Sequence, residues 1–172
     1  MLGNLAKVSF EHFPDDGRFP NSTLPVVIYR AAVSLNQVSA EALEALFDTN
    51  GWPSQWRAGI YNYDHYHSTA HECLGIATGR ARVRLGGPGG RELNLAAGDV
   101  VVLPAGTAHC ALSVSADFLV VGAYPPGQHW DVLKGEDGER PDADERIAKV
   151  KVPKTDPVGG RGGPVLEHWI RV

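Results

Sequence analysis

The hydrophobic positions along the chain recur at short spacing and are often interrupted by glycine and proline. Alternation is strict in RARVRL (80–85), where three apolar side chains would face a core and three arginines would face water. GGPGG (86–90) then turns the chain into ELNL (92–95), so these residues predict a hairpin. DVVVLP (99–104) is continuously apolar, as expected for a strand that is covered on both faces.

Further short strands are predicted on either side of this hairpin. VVIYRAAV (26–33) is rich in β-branched residues, and HCALSVS (109–115) and DFLVVGAY (117–124) are short apolar runs. Strands of this length and spacing are typical of an all-β sandwich or jelly-roll barrel.

One segment has helical periodicity. Ser39 can cap a helix over AEALEALFDTN (40–50), in which leucine and phenylalanine recur at helical spacing, and Gly51 would end it. We therefore expect a short N-terminal helix beside the strands.

Alternation also predicts a strand in WRAGIYNYDHYH (56–67). Because residues two apart in a strand share a face, Tyr61, Tyr63, His65 and His67 would point the same way. The two imidazoles would then be placed as two ligands of one metal ion must be.

The last part of the chain has a different character, rich in charge, proline and glycine, which predicts an irregular extension wrapped over the barrel. Its final residues, VLEHWIRV (165–172), are apolar enough to dock. We interpret the chain as a single domain, residues 1–172. The N-terminal strands and helix would occupy 1–55, the barrel core 56–124 and the C-terminal wrap the remainder.

Charge and composition narrow the class of partner. The 172 residues carry a formal net charge of −4, with a pI near 5.9 and no basic block, so neither nucleic acid nor an anionic membrane is expected as a partner. The N-terminus does not have the pattern of a secretory signal, and no apolar run is long enough to span a bilayer, so we expect a cytoplasmic protein. Cys73 and Cys110 are interpreted as buried thiols in a reducing compartment.

A metal site is the main chemical hypothesis. Glu72 can join His65 and His67 if the chain bends between them, and His109, after the turn PAGTAH, is the candidate fourth ligand. The alternative is a metal-free protein in which these histidines are hydrogen-bonded polar groups of the core.

Two spaced motifs carry a family resemblance. Residues 59–79 read G-x5-H-x-H-x4-E-x6-G, and residues 98–109 read G-x5-P-x-G-x2-H. These resemble the two signature motifs of the cupin superfamily, in the same order and spacing. The second motif usually continues to an asparagine, where this chain has Ser113.

More narrowly, the chain resembles the bacterial YjlB-like single-domain cupins over most of its length. The resemblance implies a cupin jelly-roll barrel and a metal site, and it does not supply a reaction. It also implies that His65, His67, Glu72 and His109 bind one divalent transition metal, which could be Fe, Mn, Ni or Zn. Many cupins pair through edge strands, so a homodimer is expected by analogy.

Other side chains near the motifs have two interpretations each. Tyr61 and Tyr63 could line a substrate pocket, or they could be packing residues. His71 could line the pocket or act as an acid/base group beside the ligands, although its position next to Glu72 predicts that its side chain points away from the site. The segment 129–131, His-Trp-Asp, could form a lid or a loop stabilised by its tryptophan. We interpret the two remaining histidines, His12 and His168, as surface or packing residues.

Two classes of function fit such a site. The first is an enzyme that acts on a small oxygenated organic molecule by metal-centred chemistry, either dioxygenase-like or isomerase- or lyase-like. The alternative is a non-catalytic small-molecule binder or sensor, and a vestigial structural cupin is a third possibility.

Overall fold

In residues 7–171, which the computed structural model describes, nine strands form two antiparallel sheets, accompanied by three helices. The strands are β1 (Lys7–Phe13), β2 (Ser22–Arg30), β3 (Ser54–Ala58), β4 (Glu72–Thr78), β5 (Arg80–Leu85), β6 (Arg91–Ala96), β7 (Val100–Leu103), β8 (His109–Val114) and β9 (Leu119–Ala123). The helices are α1 (Ala40–Thr49), α2 (Asp142–Lys149) and α3 (Pro164–His168). The predicted all-β architecture is confirmed.

The larger sheet has the order β1-β2-β7-β4-β9-β3 and is covered on both faces. In β7, Val100 and Val102 pack in the cluster that contains the core side chains of α1 and of the C-terminal segment. Val101 and Leu103 pack on the opposite face, with residues of β5 and β6 in the smaller sheet. Two-sided burial explains the continuous apolar run that predicted this strand.

The smaller sheet has the order β6-β5-β8 and contains the predicted hairpin. Alternate residues of β5, from Ala81 to Leu85, are buried as expected. Arg84 departs from the expectation of a solvated arginine face, because its guanidinium forms an ion pair with Asp64.

Helix α1 begins and packs as the sequence predicts. The Ser39 hydroxyl accepts a hydrogen bond from the backbone N–H of Ala42 (3.0 Å), which caps the first turn. Leu43 and Phe47 lie four residues apart on one face and are fully buried.

The predicted continuous strand over residues 56–67 is wrong. Strand β3 ends at Ala58 after pairing with β9 in the larger sheet, and residues 59–64 form an irregular crossing segment. His65 then forms an isolated bridge with His109, beside the smaller sheet. Alternation in the sequence continued through this segment, but it could not reveal that the chain changes sheets there.

The C-terminal segment, predicted to be an irregular extension, also contains the short helices α2 and α3. Helix α2 has acidic residues in its first turn and basic residues in its last, which suits the helix dipole, but Ala143 is its one buried residue. This short helix is mostly charged and offers few apolar positions from which the sequence could predict it. The final segment does dock, since Trp169 is buried and its Nε1–H donates to the Pro25 carbonyl (2.8 Å).

Both cysteines are buried and free, as expected. Cys73 packs on the helix-covered face of β4, opposite to Glu72. Burial raises the pKa of both thiols, so each is a neutral packing group. None of the helices described between residues 7 and 171 is long and apolar enough to cross a membrane.

Candidate metal site

The predicted ligands come from both sheets and meet between them. His65 and His67 follow the crossing segment, and His109 is the first residue of β8. The backbones of His65 and His109 exchange two hydrogen bonds, of 3.2 and 2.9 Å. Glu72 is the first residue of β4, in the larger sheet.

The turn before His109 depends on Gly106. Its φ of +98° lies in the region that favours glycine, and a Cβ there would collide with the Asn21 carbonyl oxygen. The Gly106 N–H donates to the His67 carbonyl (2.8 Å), so this turn fixes the two histidine segments against each other.

The four side chains form a buried group. Each is 5% exposed or less, and the ligand nitrogens of the three histidines lie within 4.8 Å of one another. Glu72 Oε2 lies 3.2 Å from His67 Nε2 and 3.0 Å from His109 Nε2.

Hydrogen bonds to backbone carbonyls fix the tautomer of each histidine. The Nδ1 atoms of His65 and His109 lie 3.0 and 2.9 Å from carbonyl oxygens two residues before them in the chain. His67 Nδ1 contacts the carbonyl oxygen of Asp131. Because a carbonyl only accepts, each Nδ1 carries a proton, which leaves Nε2 as the nitrogen that can bind a metal ion.

The buried Glu72 carboxylate carries a negative charge that a bound cation would balance. Burial opposes ionisation of Glu72, but the facing imidazoles of His67 and His109 overcome it and hold the pKa of the carboxyl well below its usual range. Burial likewise opposes protonation of His67, and the Glu72 carboxylate overcomes it and raises the pKa of the imidazole. Burial, reinforced by His109, lowers the pKa of His65 to about 3.

These residues fit a divalent metal ion. Nε2 lone pairs that face a carboxylate oxygen are stabilised only when a cation or a proton lies between them. The 3.0 and 3.2 Å spacings of Glu72 Oε2 from two histidine Nε2 atoms are those expected for neighbouring positions around an ion with bonds of about 2.1 Å, and the three histidine nitrogens lie within the wider limit of 4.8 Å. Three nitrogens and one carboxylate are a set that Fe, Mn, Ni and Zn all accept.

A cavity of about 290 Å³ adjoins the four ligands and opens to solvent. Most of its lining is apolar or aromatic. Besides the ligands, the lining residues are Trp56, Ala58, Gly59, Ile60, Tyr61, Leu74, Tyr124 and Trp130.

The remaining sequence candidates lie in different places. Tyr61 lines the cavity at its exposed side, 51% accessible, and its ring meets the His65 ring edge-on at 5.0 Å. Tyr63 stacks on Tyr61 at 5.0 Å outside the lining. His71 is fully buried away from the cavity, where its ring lies 4.7 Å from that of Trp169.

The loop at residues 129–131 supports the site directly. Asp131 accepts hydrogen bonds from the backbone N–H (2.6 Å) and the hydroxyl of Ser68, while its carbonyl holds His67. Trp130 lines the cavity, and His129 is exposed. The sequence indicated this loop but not the Asp131 contacts.

Tyr124 and Trp56 were not among the residues that the sequence singled out. The Tyr124 hydroxyl donates to Glu72 Oε1 (2.9 Å) and accepts from Trp56 Nε1–H (2.8 Å). Burial, together with the Glu72 charge, raises the pKa of the Tyr124 phenol. Alternation in β9 from Val120 onward places Tyr124 on the barrel-facing side, but only strand pairing shows that β9 neighbours β4.

The other motif and histidine positions lie outside the site. Ser113 is exposed on β8, and His12 is exposed at the end of β1. His168 is also exposed, and it stacks on Phe10 with ring centroids 3.9 Å apart.

Comparisons with known proteins identify the family of this chain. A family model described as Cupin matches residues 58–129. The chain is 38% identical over 160 residues to the uncharacterized protein YjlB of Bacillus subtilis (strain 168), covering 92% of this chain and 94% of that protein.

Solved structures with a related fold are more distant. A DUF861 family protein from Thermotoga maritima is 22% identical to this chain, with a TM-score of 0.35. The match covers 56% of this chain and 96% of the Thermotoga protein. Oxalate decarboxylase of Bacillus subtilis is 15% identical to this chain, with a TM-score of 0.37. The match covers 77% of this chain and 28% of the decarboxylase.

The chain belongs to the cupin family. Within that family it is similar to YjlB along nearly the whole of both sequences.

Proposed function

We propose that this protein is a metal-dependent enzyme that acts on a small oxygenated organic molecule, by dioxygenase-like or isomerase- or lyase-like chemistry. The observation that carries the proposal is the convergence of three Nε2 lone pairs and a carboxylate on the wall of a solvent-open cavity. Buried groups of this kind next to a ligand-sized space are typical of catalytic sites.

The chain's own residues have distinct roles in this proposal. His65, His67, Glu72 and His109 would hold one divalent ion, with Fe, Mn, Ni and Zn all compatible. When bound, such an ion supplies a Lewis acid that polarises oxygen atoms of a small molecule. Tyr124 holds the Glu72 carboxylate in one orientation, and the apolar lining limits the access of water.

The metal is tested first. Protein purified without chelators and without a histidine tag is analysed for its elements, beside His67→Ala and a control, His129→Ala, which removes an exposed imidazole. We expect about one metal ion per chain in the wild type and the control, and loss of the metal from His67→Ala. Wild-type protein that takes up no Fe, Mn, Ni or Zn contradicts the proposal.

Turnover is tested separately. Protein loaded anaerobically with Fe(II) is supplied with panels of diols, diketones and thiols, and oxygen uptake and product isomers are followed. Metal-dependent turnover that is absent from His67→Ala supports the enzyme. Tight binding without any turnover favours the alternative, a non-catalytic binder or sensor.

Two further expectations belong to the same proposal. The protein would work in the cytoplasm, where its two thiols stay reduced. It would also pair with a second copy through an edge strand, because an open sheet edge offers unpaired backbone groups.

A further inference from the structure

One wall of the cavity is made of aromatic rings that neighbouring contacts hold in place. The rings of Tyr124 and Trp130 are stacked, with centroids 4.3 Å apart and planes inclined by 6°. The Trp56 ring lies against Gly122, where any side chain would overlap it, and its Nε1–H is bound to the Tyr124 hydroxyl. These three residues give the cavity an aromatic wall.

The cavity lining contains no lysine or arginine among the residues that the structure describes. Basic side chains near the cavity have partners elsewhere. Arg57, on β3, pairs with Glu44, and Arg84 pairs with Asp64. Lys134 lies over the ring of Tyr63, 4.9 Å from its centroid. The cavity therefore has no built-in countercharge for a strongly anionic ligand.

The charge balance of the site limits the charge of its ligand. A divalent ion and the Glu72 carboxylate together leave one net positive charge. A ligand with one negative charge would neutralise that excess, whereas a dianion would leave an unpaired charge among apolar side chains. Burying an unpaired charge is strongly unfavourable.

The size of the cavity limits the ligand further. About 290 Å³ is at the small end of ligand cavities. At roughly 30 Å³ for each water-sized unit, it accommodates a molecule of about ten non-hydrogen atoms.

We propose that the cavity accepts a small planar molecule that carries two adjacent oxygen atoms and at most one negative charge, such as an enolised diketone or an aromatic hydroxyketone, and that it discriminates against small dicarboxylates. This specificity rests on the proposed metal site. The aromatic wall of Trp56, Tyr124 and Trp130 provides the flat surface, and the lack of a cationic lining residue provides the discrimination.

The test compares two planar bidentate probes, tropolone and oxalate, which differ in charge and aromaticity. Binding of each probe to Zn(II)-loaded protein is measured by calorimetry, and metal retention is checked by elemental analysis after desalting. Each affinity is divided by the affinity of the probe for Zn(II) in solution. After this correction we expect tropolone to bind about tenfold more tightly than oxalate, or better.

Two pairs of variants separate the causes. Trp130→Leu should weaken tropolone binding about three- to tenfold while the metal content stays unchanged, whereas Phe118→Leu, outside the lining, should not. Ile60→Arg adds a cation to the lining and should shift the preference towards oxalate by about tenfold. Leu35→Arg adds the same charge at an exposed position and should leave the preference unchanged.

The outcomes distinguish this inference from the proposed function. Wild-type protein that retains Zn(II) but binds oxalate as tightly as tropolone overturns the substrate class alone. Unchanged tropolone binding by Trp130→Leu overturns the role of the aromatic wall. Failure of the wild type to retain any metal overturns the metal site and this inference together.

Discussion

Glu72 is the residue whose surroundings define the site most closely. One carboxylate oxygen faces the Nε2 atoms of His67 and His109, and the other accepts a hydrogen bond from the Tyr124 hydroxyl. The carboxylate is therefore oriented from both ends. Outer hydrogen bonds of this kind fix a ligand in the geometry that an ion needs.

Tyr124→Phe should weaken metal binding without abolishing it. The change removes one hydrogen bond from Glu72 and leaves the ring in place, so we expect about a 10- to 100-fold loss of affinity for Zn(II) or Mn(II). Competition with a chromophoric chelator measures the effect.

Tyr29→Phe is a matched control for this variant. Tyr29 is another buried tyrosine that donates to a buried carboxylate, Asp156, but it lies in the helix-side core. The Tyr29→Phe variant should lower the free energy of unfolding by about 1–3 kcal/mol and leave the metal affinity unchanged. Equal losses of affinity in both variants would show that Tyr124 acts only through general stability.

His71 is a buried histidine outside the cavity. Its Nδ1 accepts the N–H of Ala105 (2.8 Å), and its Nε2 has no hydrogen-bonding partner in the described part of the chain. Burial, with a smaller contribution from Arg171, lowers the pKa of His71 to about 3. The native state therefore keeps this imidazole neutral.

Acid should destabilise the metal-free protein partly through His71. Between pH 6.5, the ordinary pKa of histidine, and about pH 3, the His71 imidazole is protonated in the unfolded chain but neutral in the native state. The free energy of unfolding therefore falls as the pH decreases through this range. The slope from this one group is at most about 1.4 kcal/mol per pH unit. Urea unfolding at several pH values, compared with His71→Gln, measures it. Parallel pH profiles for the two proteins would contradict the assignment.

At the level of elements, the C-terminal wrap supports the site from outside the barrel. Asp131 ties its loop to Ser68, and Arg146 of α2 donates to the same Ser68 hydroxyl (2.8 Å). Because the Asp131 carbonyl holds His67, these contacts connect α2 to a residue of the proposed metal site. The charged wrap is thus part of the site's scaffold.

Asp131→Ala should loosen this connection. The loop loses its anchor on Ser68, and the carbonyl that orients His67 becomes mobile, so we expect about a tenfold loss of metal affinity with a small loss of stability. Asp137→Ala removes an exposed carboxylate from the same wrap and is the control. Chelator competition and thermal unfolding report the two effects, and equal metal affinity in both variants would count against the scaffold role.

At the level of the whole molecule, the site depends on two sheets that face each other. Glu72 belongs to the larger sheet and Tyr124 directly follows its strand β9, whereas His65, His67 and His109 lie beside or within the smaller sheet. Any relative shift of the sheets would separate the four side chains of the proposed metal site. A bound ion would therefore stabilise the native arrangement, by about 2.7 kcal/mol at a free concentration 100 times its Kd.

The oligomeric state is a prediction for the whole molecule too. Strand β1 is an outer strand of the larger sheet and β6 of the smaller one, so each leaves one backbone edge for pairing. Light scattering after size exclusion should give twice the chain mass of 18.5 kDa. A mass that stays at one chain over a wide concentration range would rule out the dimer.

The amino-acid sequence by itself determined the elements whose signal is local. The capped helix α1, the β5–β6 hairpin and the doubly covered β7 follow from periodicity, turn residues and continuous apolar runs. The motif spacing likewise indicated His65, His67, Glu72 and His109 as a group before any strand pairing was known.

Only the tertiary structure decided what lies around those four side chains. The break after Ala58 arises because the chain changes sheets, and the approach of Tyr124 to Glu72 arises because β9 pairs with β4. Asp131 reaches His67 only because a charged segment with little hydrophobic periodicity folds back over the barrel. Contacts between residues distant in the chain depend on pairing and packing, which local patterns of polarity do not encode.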